Sequence, residues 1–152
     1  MQTRGELHAR WTFAGGAGGD TQFKNLSTAG SGTFNTDGGT VNGAFGGAVK
    51  FFNSSSALNG TFNANGGTTT GAAGASITFY DGSAAANATL IANAGVNGGS
   101  PEIISFQNAS VGGSARVEAF GPALSISAFI TPAACLSGPS KGAEKSSSGR
   151  TI

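Results

Sequence analysis

Hydrolysis or elimination needs an acid and a base placed together. In the middle of this chain only Asp37, Lys50, Asp81, Glu102, Arg116 and Glu118 could supply such a pair. The other charges crowd the ends: Arg4, Glu6, Arg10, Asp20 and Lys24 near the start, and Lys141, Glu144, Lys145 and Arg150 near the finish. His8 is the only histidine and Cys135 the only cysteine. His8 lies in the charged opening and reads as an exposed bystander, not a general base or zinc ligand. Cys135 has no partner for an internal disulfide and reads as a free thiol.

One stretch has the look of a metal site. GGAGGDTQF, residues 15 to 23, follows most of a calcium-binding nonapeptide, G-G-x-G-x-D-x-U-x, in which glycine turns bring carbonyls and an aspartate to the ion. Gln22 stands where the apolar residue belongs, and a single copy cannot complete coordination between successive turns. No metal or cofactor is expected. A different surface chemistry is offered by Thr33, Thr61 and Thr89, with Thr68, Thr69 and Thr70 nearby. Such a row could form a flat ice-binding face, although β-branched threonine also suits the outside of any strand.

The net charge of +1 leaves no footprint for nucleic acid, and no run approaches the roughly 20 apolar residues of a membrane helix. The opening MQTRGELHARWTFAGGAGG has no apolar core of a secretory signal. Glycine is abundant at 27 residues and charge is scarce at 10%, against roughly 25% in ordinary domains, which argues against a helical protein. Eleven Phe in recurring positions supply apolar surface that a disordered chain does not need.

The elements that must position these residues come from a repeat. QFKNLSTAGSGTFNTDGG at 22 to 39 returns as KFFNSSSALNGTFNANGG at 50 to 67, a shift of 28 that also aligns Phe23, Phe51 and Phe79. Phe34 and Phe62 align with Leu90, and a fourth copy follows at 27 with Phe106 and Val117. Periods of this size mark stacked repeats. Val49 and Phe51 alternate with Lys50 and Phe52, and Ile77 and Phe79 bracket Thr78, which is strand periodicity. In the second strand Gly32, Gly60, Ala88 and Ala115 share one face with Phe34, Phe62, Leu90 and Val117, leaving Thr33, Thr61, Thr89 and Arg116 on the other. A weaker third strand is expected near TVNGAFG and TTTGAAG, and corners at Asp37-Gly38-Gly39, Asn65-Gly66-Gly67 and Asn93-Ala94-Gly95.

The pattern predicts an all-β chain, a parallel β-solenoid of about four rungs with a 27–28-residue repeat. One repeat position then becomes a ladder with a step of about 4.8 Å. Phe51, Phe79 and Phe106 should stack in one core, and Asn25, Asn53, Asp81 and Asn108 should form an amide ladder in which Asp81 is a structural substitution. Asp37, aligned with Asn65 and Asn93, fits the repeat in the same way, leaving Glu102 and Lys50 as thin material for catalysis. The expected organisation is an irregular segment over 1–20, solenoid over 21–130 and a low-complexity, disordered tail over 131–152.

The lines FKNLSTAGSGTFNTDGG, FFNSSSALNGTFNANGG and FYDGSAAANATLIANAG carry a frame of F-x-N/D-x-S followed by G/A-T-F/L. This frame resembles the glycine- and asparagine-rich repeats of bacterial autotransporter-like surface proteins. The resemblance implies a right-handed solenoid and a stalk or passenger in a longer protein that is secreted or held at the cell surface. It carries over no catalytic residue. Members of that family begin with a signal peptide and end in an anchor, so the chain reads as a fragment or a frame-shifted copy. The expected role is a non-catalytic structural or adhesive segment, with cell-surface or glycan contacts and self-association through open solenoid ends, and with neither nucleic acid nor membrane insertion. The competing expectations are a carbohydrate-active β-helix enzyme and an ice- or calcium-binding solenoid.

Overall fold

The computed structural model of the protein describes residues 7–9, 15–121 and 125–128. Their regular structure is all strand: β1 Leu7–Ala9, β2 Asp20–Phe23, β3 Thr33–Thr36, β4 Ala48–Phe51, β5 Thr61–Asn65, β6 Ser76–Phe79, β7 Thr89–Asn93, β8 Ile103–Phe106, β9 Arg116–Phe120 and β10 Ser125–Ala128. Odd and even strands separate into two sheets, ordered β1-β3-β5-β7-β9 and β2-β4-β6-β8-β10. Every pairing is parallel. The chain therefore winds as a β-solenoid of about four turns, visiting each sheet once per turn.

Register follows the repeat. Val49 pairs with Ile77, and Phe51 with Phe79, at a separation of 28; Phe79 pairs with Phe106 at 27, because the corner between Asn93 and Ile103 is one residue shorter than its predecessor. The first strand lies inside the segment that the sequence reads as irregular; its pairing with β3 carries the coil back to Leu7. The tail over 131–152 lies outside the described residues.

Alternation decides what is buried. Phe51, Phe62, Ile77, Phe79, Leu90 and Ile104 are fully enclosed between the two sheets, with Ala57, Ala64, Ala85, Ala88 and Ala92 filling the gaps. Each large apolar side chain lies over another apolar one in the next rung, Phe51 over Phe79 and Phe62 over Leu90. Phe23, Phe51, Phe79 and Phe106 stack with centroids 4.6, 4.6 and 4.8 Å apart and planes within 7°. A second column stacks Phe34 on Phe62 at 4.8 Å. The two columns meet edge to face, Phe23 on Phe34 and Phe51 on Phe62, both at 5.5 Å. Rung spacing enforces the face-to-face geometry along the stack, and the positive ring edges meet the negative faces across it.

The third strand takes a different place from the one expected. Residues 40–46 and 68–74 form turns, with Gly43 and Gly71 at φ 77°. A short parallel ladder instead runs through Thr28, Ser56, Ala84 and Val111, between the two main strands of each turn. The expected corner glycines also serve another purpose. Gly38 and Gly66 do not have positive φ; a Cβ on Gly38 would run into the backbone of Gly66, and one on Gly66 into that of Gly95. They are glycines because rung backbones pass closely there.

Truncating a buried ring leaves a cavity with full aromatic columns above and below it. Phe79→Ala is expected to lower stability by about 3 to 5 kcal/mol, read from equilibrium denaturation, and a neutral result would contradict the described stacking.

Candidate polar-ladder surface

The F-x-N/D-x-S frame resolves into three bonds between neighbouring rungs. Phe stacks inward. Two residues on, Asn25, Asn53, Asp81 and Asn108 all adopt left-handed backbone, φ 56–61°, a conformation that asparagine and aspartate tolerate. The side-chain oxygen of Asn53 accepts the Asn25 N–H at 3.1 Å, and Asp81 Oδ2 accepts the Asn53 N–H at 2.9 Å. The expected amide ladder is thus corrected: the side chains at this position bond to backbone of the preceding rung. Only an acceptor is required, so aspartate serves as well as asparagine. Two residues further, Ser55 and Ser83 lie inward and donate their hydroxyls to the Phe23 and Phe51 carbonyls, at 3.2 and 3.4 Å.

Amide ladders stand elsewhere, on the outer face of the odd-numbered sheet. The inward positions of β3 and β5 are Phe34 and Phe62, so Thr33, Asn35, Thr61 and Asn63 face out. Asn63 Nδ2 donates to Asn35 Oδ1 at 2.6 Å. Next to it, Asn93 Nδ2 donates to Asn65 Oδ1 and Asn65 Nδ2 to Asp37 Oδ1, both at 2.8 Å. Each amide donates toward the start of the chain, and a carboxylate, which only accepts, ends the row at Asp37. Thr33, Thr61 and Thr89 form the neighbouring column. Ile91 ends the Asn35–Asn63 column in β7, and Arg116 and Phe120 end the other two in β9, where Arg116 Nε and Glu118 Oε1 pair at 2.9 Å.

Beside this face, Asp37, Gly38, Thr40, Asn65, Gly66 and Thr68 line a shallow cavity of about 270 Å³. Its walls offer hydroxyls, amides and one carboxylate, groups suited to hydrogen-bonding a polyhydroxylated ligand. On the outside of the other sheet, Phe52 and Tyr80 stack at 4.8 Å and 3°, with Lys24 Nζ 5.7 Å from the Phe52 centroid. Each ring covers one face of the other, and the Lys24 ammonium lies near the Phe52 ring.

The remaining expected site residues are dispersed. Asp20 Oδ2 accepts from Lys50 Nζ at 3.0 Å and from Gln22 Nε2 at 2.7 Å, so the aspartate of the nonapeptide-like stretch is held by an ammonium and an amide. Lys50 lies outward between buried Val49 and Phe51, whereas Glu102 shares the inward parity of Ile104 and is 1% exposed. They sit on opposite faces of one sheet and cannot act as a pair. Among the described residues, no three or more of His, Cys, Asp and Glu group as metal ligands. His8 takes the register position opposite Asn35; Cys135 lies outside the described residues.

Glu102 is the residue that sequence reasoning undervalued. It occupies the inward position held by Ala75 one rung earlier, and no described group partners its Oε2. Burial pushes its carboxyl above the ordinary value of 4.5, opposed by a backbone hydrogen bond. The signal was present in the parity of EIISF, where Glu102, Ile104 and Phe106 share one side.

Comparison with known proteins gives no match: no family model fits the chain, and neither a curated protein nor a solved structure matches it. No helix among the described residues is long and apolar enough to cross a membrane.

Two expectations follow from these side chains. Asp81→Asn keeps the acceptor and should leave the melting temperature unchanged, whereas Asp81→Ala should cost about 1 kcal/mol by freeing the Asn53 N–H. For Glu102 the folded state holds the proton more tightly than the unfolded one. Its contribution to stability is therefore fully present below the ordinary carboxylate value and is lost as pH rises through the raised folded value. Glu102→Gln should flatten that decline and raise stability at neutral pH, measured by denaturation across a pH series; an unchanged pH profile would contradict a carboxyl whose burial outweighs its backbone hydrogen bond.

Proposed function

We propose that the chain is a non-catalytic structural or adhesive segment of an exported bacterial repeat protein, acting at the cell surface. One observation carries the non-catalytic part. The described ionisable groups along the coil have structural engagements: Asp20 with Lys50, Arg116 with Glu118, Asp37 at the end of an amide row, Asp81 on backbone, Glu102 in the core. None is left beside another in a way that would join an acid to a base across a substrate. The exported, surface-associated part rests on the autotransporter-like repeat frame, whose phenylalanine, asparagine and serine each serve rung-to-rung stacking.

The adhesive part is favoured by the threonine and asparagine columns and the cavity beside them. A rigid sheet holds these groups at fixed intervals, so a ligand with its own repeating hydroxyls meets them at little ordering cost. A glycan of cell-surface type fits that chemistry.

The test offers a panel of neutral and uronate glycans to the purified protein, with and without calcium, and follows both binding and cleavage. Binding without cleavage, weakened at least several-fold by Thr61→Arg with an unchanged melting temperature, is the expected result. Cleavage that disappears in Asp37→Asn or Asp81→Asn would replace this reading with a carbohydrate-active enzyme.

A further inference from the structure

Four asparagines of this chain precede glycine: Asn42, Asn59, Asn65 and Asn97. Such a pair has a chemistry of its own. Glycine has no Cβ to shield its amide nitrogen, so that nitrogen can approach the side-chain carbonyl carbon of the asparagine before it. The approach needs an N–H that is not already held, and the coil holds three of the four. Gly43 N–H donates to the Gly71 carbonyl at 3.0 Å, Gly60 N–H to the Ala57 carbonyl at 2.9 Å, and Gly66 N–H to the Asn93 carbonyl at 2.7 Å. Gly60 and Gly66 are buried as well. Gly98 differs. It is exposed, as are Val96 and Asn97, and no described group accepts its N–H.

The shortened repeat accounts for the difference. Thr68 N–H bonds to the Gly39 carbonyl and Val96 N–H to that of Gly67, while Ala73 N–H bonds to Ala44 and Ser100 N–H to Ala72. Val96 therefore corresponds to Thr68 and Ser100 to Ala73, so the residue dropped from this rung is dropped inside 96–100. In the two longer turns, closed by Ala44 N–H on Val41 and by Ala72 N–H on Thr69, only the glycines at 43 and 71 have positive φ, 77° in both. That is a type II turn. The shortened turn, closed by Gly99 N–H on Val96, has Asn97 at φ 50° and Gly98 at 79°. Both central residues are left-handed, the type I′ geometry. Side-chain contacts alone tie Asn97 to its neighbours: its Nδ2 donates to the Thr68 carbonyl at 3.3 Å, and its carbonyl accepts from Thr70 Oγ1 at 3.2 Å.

We propose that Asn97 is a self-modification site, deamidated through a succinimide formed with Gly98. The Gly98 nitrogen bonds to Asn97 Cγ and gives up its proton; the Cγ–Nδ2 bond breaks, and Nδ2 leaves with that proton as ammonia. Water then opens the ring. Opening at Cγ leaves aspartate, and opening at the main-chain carbonyl leaves isoaspartate, in which the chain runs on through the side-chain carbons. Either product sets a carboxylate against the Thr68 carbonyl that the amide had bonded, and isoaspartate also lengthens the turn by one carbon. Thr68 lines the cavity beside the polar ladders, so a slow covalent change acts at the rim of that cavity. The site stands on the geometry of the turn and not on the glycan reading, and either can fail alone.

The folded protein is held at mildly alkaline pH, and loss of ammonia is followed by mass and located by fragmentation. Asn97 should react at least about tenfold faster than Asn42, Asn59 or Asn65, whose glycine N–H groups must first be freed by local opening. In strong denaturant the four rates should converge, because glycine follows each. Asn97→Asp should remove the fast phase and Asn42→Asp should leave it intact. The product should be a mixture of isoaspartate and aspartate. Reaction first at any of the other three, a ranking unchanged by denaturant, a fast phase that survives Asn97→Asp, or aspartate as the sole product would each overturn the proposal.

Discussion

Parallel stacking in register at one strand spacing is the constraint on which everything else in this protein depends. Neighbouring rungs lie about 4.8 Å apart, and every side chain meets its counterpart at nearly that distance. Residues that like their own kind are therefore favoured. Phenylalanine satisfies the condition inside, where the columns through Phe51 and Phe62 stack face to face and meet each other edge to face. A repeated charge cannot satisfy it, since like charges would face each other along the axis. The low charge content thus follows from the architecture.

The same spacing gives the polar ladders a direction. In the Asp37–Asn65–Asn93 row each amide donates toward the start of the chain, so the first member needs only to accept, and a carboxylate fits there. The Asn25–Asn53–Asp81 position also bonds backward, yet its partner is backbone, and a carboxylate is tolerated in the middle of the row. Two aspartates that could have been read as catalytic are accounted for by two different bonds. Inward serines add a third kind, hooking the carbonyls of the phenylalanines below.

Glu102 stands apart from this economy. It fills an inward position with a group that prefers water, and the protein accommodates it by favouring the neutral form. Where the columns lose their uniformity the outer face changes too: Ile91 replaces asparagine in β7, and Arg116 and Phe120 replace threonine and asparagine in β9. The polar face therefore spans the earlier rungs only, which bounds the surface available for contact.

Much of this was legible in the residues alone. Phenylalanine at intervals of 28 and then 27, with polar residues alternating beside it, determined the strands, their parallel register and the inward columns, because a repeat that cannot bury its apolar face alone must stack on its neighbours. The roles of the asparagines were not legible. Asn53 and Asn63 belong to the same repeat and have the same side chain, but φ of 61° turns one toward backbone while strand geometry turns the other toward its own kind. Spacing cannot separate them, since both recur at 28. Likewise the glycines at 38 and 66 are set by how closely one rung passes another, a distance that exists only once the coil has closed. Burial of Glu102 and its separation from Lys50 were decided in the same way, by which side of a sheet each faces after the chain has turned its corners.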